Sequence, residues 1–414
     1  MQTQVSIAQD IYMISVNDRR TALFENLWPI PHGVSYNSYV ILDEHCALLD
    51  TIEFGSDGSY LDRVEAILEG RPLEYLIVNH MEPDHSGEIG SVLKRYPNIK
   101  VIGNALTKKM LDAYFGDLTA NFQEVRHGDT LSLGTHTLQF FLTPWVHWPE
   151  TMVTYEQSTK VLFSADAFGT FGTTDGAATD ADTDLSVYVE DMRRYYSNIV
   201  GKYGNMVQKA LAKLSGLEIT TLCPLHGPVW RRQAGEVIAL YDKWSKGEAD
   251  DAVMIVYASM YNNTAHMADY IASCLKRRGV ADVRVYDVSK THMSYLISEM
   301  WRCRYVMLGS CAYNGDMFPA MEQLCSAMTH YGLKNRDLAI FGSCSFGGGG
   351  VRALKKFAET VGWNIVGEPT EVTGRATREN LEKFLPLANA MADHVLKVAP
   401  KQEPLACKTC CRKG

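Results

Sequence analysis

The sequence predicts two folds in series, an α+β layered half followed by a doubly wound parallel α/β half. Three observations predict this. The chain has 414 residues, which at about 150 residues per domain suggests two or three domains. A polar stretch without apolar periodicity, Ser245-Lys246-Gly247-Glu248-Ala249-Asp250-Asp251, separates segments of different texture. Strands come in meanders before it and alternate strictly with helices after it.

In the first half the extended runs are Val5 to Val16, Ser38 to Leu42, Ala47 to Thr51, Tyr75 to Val78, Lys100 to Ile102, Thr130 to Leu142, Met152 to Tyr155 and Val161 to Phe163. Helical patterns occupy 57–69, 87–95, 105–115 and 185–214, so sheets covered by helices are expected. In the second half Val253 to Tyr257 reads as a buried strand. Met267, Ala268, Ile271, Cys274 and Leu275 then repeat at helical spacing up to the stop Lys276-Arg277-Arg278-Gly279. Strands at Val283 to Tyr286, Tyr305 to Leu308, Leu338 to Phe341 and Ile365 to Val366 follow, each trailed by a helix. Five strand–helix units of this size make a doubly wound five-stranded sheet. The expected divisions are 1–248, 249–398 and a flexible cysteine-bearing tail, 399–414.

Composition narrows the function. Forty-six per cent hydrophobic and 21% charged residues describe an ordinary globular chain, and 40 Lys plus Arg against 48 Asp plus Glu give a net charge of −8. Without a basic stripe, nucleic-acid binding is not expected. No apolar run approaches the roughly 18 residues of a membrane helix. The start, Met1-Gln2-Thr3-Gln4-Val5, lacks a basic n-region, so no secretory signal is expected. Ten scattered cysteines then read as reduced thiols of a cytoplasmic protein.

The densest chemistry follows the apolar run ending at Asn79. In His80-Met81-Glu82-Pro83-Asp84-His85, an extended backbone points residues 80, 82 and 84 one way and His85 the other. Four ligand-type residues in six, at a strand exit, can grip two metal ions if further ligands arrive from elsewhere. His147, Asp166 and His226 each lie just past another extended run, where loops converge.

A second set of signals lies at strand ends of the second half. Ser259, Met260, Tyr261, Asn262, Asn263 and Thr264 open a helix with hydroxyls, amides and free N–H groups, an anion cradle without a Walker lysine. Ser310, Cys311, Ala312, Tyr313 and Asn314 follow the third strand, and Ser343, Cys344, Ser345, Phe346 and Gly347 the fourth. Ligands bind at such carboxyl ends. Glycines admit a flat ring, and Tyr313 and Phe346 offer π-faces for stacking.

His-x-Glu-x-Asp-His followed by His147, Asp166 and His226 resembles the metallo-β-lactamase fold in its flavodiiron variant, the A-type flavoproteins. The loop 259–264 resembles the phosphate loop of flavodoxins, with Asn262 where many carry Gly. The resemblance spans about residues 1–395, and two independent site patterns occur in the right order. It implies a metallo-β-lactamase-like αββα sandwich followed by a flavodoxin-like domain, with FMN and two non-haem irons per chain as cofactors. By the family pattern His80, Glu82 and His147 hold one iron, Asp84, His85 and His226 the other, and Asp166 bridges them. Zinc hydrolases of the fold usually have His where this chain has Glu82; an N/O set without thiolate suits iron.

The activity implied is reduction of O2 to water, of NO to N2O, or both, with electrons relayed by FMN. Trp148 is expected to shield the site, with Tyr195 or Tyr196 reaching it. Some relatives carry His within Leu23 to Pro29, where this chain has Glu25, leaving the preferred gas open. A separate rubredoxin-like carrier or reductase would supply electrons, because Cys407, Cys410 and Cys411 fall short of the two cysteine pairs of a rubredoxin site. A head-to-tail homodimer, or a dimer of dimers, is likewise implied. Two other readings compete: a binuclear zinc hydrolase fused to a flavodoxin, and a flavin electron carrier whose first domain only docks.

Overall fold

The computed structural model describes residues 5–116 and 121–398. The chain folds into two compact units that divide between Glu248 and Ala249. The cysteine-bearing tail expected at 399–414 lies outside the described residues.

Among the described residues of the first unit, one sheet holds β1 (Val5–Ala8), β2 (Ile11–Asp18), β5 (Val34–Ile41), β6 (Cys46–Leu49), β7 (Leu73–Ile77), β8 (Lys100–Gly103) and β9 (Phe122–Glu124), in that order. A hairpin of β3 (Leu23–Phe24) and β4 (Trp28–Pro29) stands apart from it. The second sheet runs β10 (Thr130–Ser132), β11 (Thr137–Leu142), β12 (Met152–Glu156), β13 (Val161–Phe163) and β14 (Thr221–Cys223). Met13, Tyr39, Leu49, Ile77 and Ile102 of the first sheet meet Leu138, Phe140, Phe163 and Cys223 of the second in one dry core. Helices such as Tyr60–Leu68, which buries Tyr60, Val64, Ile67 and Leu68, cover the sheets. This is the layered α+β sandwich the sequence predicts.

Three expected elements are subdivided. The run Val5 to Val16 breaks at Asp10, whose φ of +56° makes a turn, into the antiparallel pair β1 and β2. The run Thr130 to Leu142 folds back at Gly134, where φ is +125°, giving β10 and β11. The helix expected over 185–214 runs Leu185–Tyr195, then a π-helical turn Tyr196–Val200, a 3₁₀ turn Gly201–Tyr203, and Gly204–Leu214. The cause is local: Ser197 Oγ and Asn198 Nδ2 both donate to the Arg194 carbonyl, at 3.2 and 2.7 Å, competing for an acceptor of the helical ladder.

In the second unit, β15 (Asp250–Ala258), β16 (Val283–Asp287), β17 (Cys303–Cys311) and β18 (Asp337–Cys344) are parallel in the order β16-β15-β17-β18. The fifth position is shared by two short strands, β19 (Asn364–Ile365) and β20 (Thr370–Thr373), both parallel to β18. The sheet has the doubly wound 2-1-3-4-5 order. No helix among the described residues is long and apolar enough to cross a membrane.

Candidate metal centre and flavin site

The ligand-type residues sit at strand exits. Past β7 the chain bends at Asn79 and again at Glu82, the first bend held by the Asp50 carboxylate. That group accepts from the Asn79 amide at 2.7 Å, the His80 amide at 3.2 Å and Asn79 Nδ2 at 2.8 Å. Pro83 then starts a helical turn, Pro83–Ser86, as a residue without an N–H readily does. The extended alternation expected through residue 84 therefore ends at Glu82, and Asp84 leaves the chain beside His85. His147 follows β11, Asp166 follows β13 and His226 follows β14.

These seven side chains converge into two adjoining groups, His80–Glu82–His147–Asp166 and Asp84–His85–His226. His147 Nε2 lies 3.0 Å from Glu82 Oε2 and 3.0 Å from Asp166 Oδ2. His80 Nε2 is 3.3 and 3.4 Å from the same two oxygens. The other oxygen, Asp166 Oδ1, is 3.0 Å from His85 Nε2 and 3.7 Å from His226 Nε2. Asp84 Oδ2 stands 3.3 and 3.4 Å from those same nitrogens. Asp166 thus turns one oxygen to each group.

The donor chemistry fits cations. His85 Nε2 and His226 Nε2 face each other at 3.0 Å across the same space. Both Asp84 oxygens and Asp166 Oδ1 are buried without a hydrogen bond. Burial opposes charge on His80, yet Asp166, Glu150 and Glu82 outweigh it and hold the imidazole well above its ordinary value. His147, buried but flanked by Asp166 and Glu82, is raised to about 9. Burial likewise opposes the charge on Asp166, and the imidazoles of His85, His80 and His147 hold its carboxyl well below the usual range. A largely buried cluster of four imidazoles and three carboxylates suits metal ions as its source of positive charge.

Residues that sequence reasoning missed support these groups from behind. Glu150 Oε1 lies 2.9 Å from His80 Nδ1, and the Ser35 carbonyl 2.9 Å from His226 Nδ1. Thr51 Oγ1 donates to the His85 carbonyl at 2.8 Å. Asp50 and Glu150 each sit at a loop or strand end as carboxylates, the one trace a sequence carries of this role.

In the second unit the three expected loops share the carboxyl edge of the sheet, after β15, β17 and β18. Asn262 takes the left-handed conformation at φ +66° and starts the helix Asn263–Arg277. Thr264 Oγ1 lies 2.9 Å from Ser343 Oγ, tying the start of the helix to the end of β18, and Ser259 Oγ is buried without a partner. Tyr261 and Phe346 are 84% and 87% exposed, and Met260 and Tyr313 are also exposed. Strand β17 approaches β18 so closely that a Cβ on Gly309 would lie 2.1 Å from the Phe341 ring. Two of the expected loops begin inside strands: Ser310 and Cys311 end β17, and Ser343 and Cys344 end β18, so only Ala312 and Asn314, and Ser345 and Gly347, lie in the loops beyond, while Asn263 opens the helix.

Residues 34–227 match the ODP family beta lactamase and residues 255–385 the flavodoxin family. The anaerobic nitric oxide reductase flavorubredoxin of Escherichia coli is 30% identical over 80% of this chain and 70% of its own length. Rubredoxin oxygen:oxidoreductase of Desulfovibrio gigas is 26% identical, with 95% of this chain and 99% of that one superposing at a TM-score of 0.89. The flavodiiron protein of Giardia intestinalis shares the fold at a TM-score of 0.90 and 24% identity, over 95% of this chain and 97% of that one. The chain belongs to the flavodiiron protein family. It is accordingly an oxidoreductase.

In this flavodiiron protein a cavity of about 400 Å³ opens beside the metal groups, lined among others by Leu23, Phe24, Glu25, Tyr36, Glu53, Glu82 and Asp84. Glu25 is held by Trp28 Nε1, which donates to Oε2 at 3.0 Å, and adopts a φ of +50°. Local desolvation at the cavity wall, with the Glu82 carboxylate beside it, raises the Glu25 carboxyl above its ordinary range. Tyr195 is fully buried, packs on His226 at 5.4 Å, and its hydroxyl has no hydrogen-bond partner. Tyr196 packs instead on Tyr241 and Trp244, so of the two tyrosines only Tyr195 reaches the site. Trp148 is half-buried and meets His80 edge-on at 5.5 Å.

Proposed function

We propose that this flavodiiron protein reduces O2 to water, NO to N2O, or both, at a diiron centre supplied with electrons by FMN. One observation carries the reading: Asp166 presents its two oxygens to two different imidazole pairs. One carboxylate so placed can bridge two metals. In this reading His80, Glu82 and His147 hold one iron, and Asp84, His85 and His226 the other. When bound, two ferrous ions and a reduced flavin would supply four electrons, enough to take O2 to two waters; two of them suffice to join two NO into N2O and water.

The chain's own residues do the rest. Tyr195, Phe24 and Phe171 wall the second imidazole pair with apolar surface and keep water from it. Trp148 covers His80. Glu25 lines the cavity beside Glu82. The segments 259–264, 310–314 and 343–347 would hold the FMN phosphate and ring, with Tyr313 and Phe346 against its faces. A separate rubredoxin-like carrier or reductase as electron donor and a head-to-tail homodimer belong to the same proposal.

Metal analysis of anaerobically purified protein, followed by O2 and NO consumption with chemically reduced flavin, tests it. Two irons per chain, with gas consumption lost in Glu82→Ala and Asp166→Ala, is the expected result. Unchanged consumption in both variants, or zinc with hydrolysis indifferent to flavin removal, would overturn it.

A further inference from the structure

The two metal groups are matched in their immediate donors: two imidazoles and one carboxylate each, with Asp166 between them. What stands behind the imidazoles is not matched. Glu150 Oε1 lies 2.9 Å from His80 Nδ1 and also accepts from the Met81 amide at 2.9 Å. Both side chains are fully buried, and Glu150 Oε2 has no hydrogen-bond partner. Oε1 already accepts from the Met81 amide and faces Nδ1, so a His80 that gives Nε2 to a metal carries its proton on Nδ1 and donates it to this oxygen. In the other group His226 Nδ1 faces the neutral carbonyl of Ser35 at 2.9 Å, and His85 Nδ1 has no partner.

An imidazole whose N–H points at a carboxylate is a more basic metal ligand than one backed by a carbonyl or by nothing. We infer that Glu150 makes the two metal positions electronically unequal, favouring the ferric state of the ion held by His80, Glu82 and His147. The inference rests on the diiron reading above. Each position exchanges one electron, Fe³⁺ plus an electron giving Fe²⁺, with no atom transferred and the flavin as reductant. On reduction the first electron enters the Asp84–His85–His226 position and the second the His80 position; on oxidation the order reverses. Glu150 acts through His80 as a positioning residue.

Redox titration of the iron-loaded full-length protein, followed by the EPR signal of the half-reduced pair, tests this in wild type and in Glu150→Gln. The amide keeps an acceptor for His80 and Met81 and removes the charge. The expected result is two irons per chain in both proteins, with the lower-potential couple of the variant raised by a tenfold change in equilibrium, about 59 mV for one electron. The higher couple stays in place, so the half-reduced signal shrinks. Two irons in both proteins with identical potentials would overturn the inference and leave the diiron reading standing; a wild type that never holds two irons would remove the reading itself. If Glu150→Gln does not load, the wild type alone decides. Couples separated by less than that tenfold step, about 59 mV, contradict unequal positions, and a wider gap supports them.

Discussion

The two units hold their sites in opposite ways. In the first, side chains do the holding: His80, His85, Asp166 and His226 are wholly buried, and each is fixed by its neighbours. In the second, the candidate flavin residues lie at strand ends and in loops along one sheet edge, with Tyr261 and Phe346 almost fully exposed. A metal ion demands a few exact donor atoms in a dry space, so the polypeptide must pre-pack them. A phosphate and a flat ring are recognised mainly by backbone and by stacking faces, which can remain open to solvent until filled.

This contrast can be broken by substitution, beginning with the largest effect. Asp166→Asn removes the one carboxylate shared by both groups. Iron content should fall below two per chain and gas consumption by at least about 100-fold, read by metal analysis and by an oxygen or NO electrode. Flavin absorbance should stay intact, since the second unit's loops owe nothing to Asp166.

Next comes an acid test of the first unit's packing. Burial opposes the Glu156 charge, but the hydroxyls and amides of Ser158 and Thr159 bring its carboxyl down from 4.5 to about 2. A depressed folded value means stability present above pH 4.5 and lost as pH falls toward 2. Glu156→Gln should therefore cost about 3 kcal/mol near neutral pH in urea unfolding. The gap to wild type should close between pH 4.5 and 2; a gap independent of pH would show that the carboxylate charge is not what anchors this turn.

Gly309→Ala probes the second unit in the same way, since the added methyl meets the buried Phe341 ring. A loss of about 1–3 kcal/mol is expected in denaturant unfolding followed by flavin fluorescence. The smallest effect belongs to Thr264→Val, which removes the bond to Ser343 that ties the start of the helix Asn263–Arg277 to the end of β18. About 1 kcal/mol of FMN affinity should go with it, read by flavin titration of the apoprotein, with iron content untouched.

The same contrast decides what was legible in the sequence. His80, Glu82, Asp84, His85, His147, Asp166 and His226 were readable because donor chemistry resides in residue identity and recurs past strand ends. The turn begun by Pro83 was not, because an alternation argument assumes an unbroken extended chain. Asp50 and Glu150 stayed hidden for a different reason: they act by accepting from other residues' amides and imidazole, and nothing in a lone carboxylate's neighbours announces that. The polar segments at the carboxyl edge were readable from Ser, Asn and Gly at the ends of alternating strands, whereas the pairing of both β19 and β20 with β18 depends on tertiary register. Likewise, the π-helical turn after Tyr195 arises from Ser197 and Asn198 bonding back to one carbonyl, a choice between hydrogen bonds that periodicity does not reveal.

Diffraction at the iron absorption edge, from protein loaded and crystallised without oxygen, tests the central claim most directly. The account predicts two anomalous peaks, one among His80, Glu82 and His147 and one among Asp84, His85 and His226, with Asp166 between them. A single peak, or peaks away from these side chains, would contradict it.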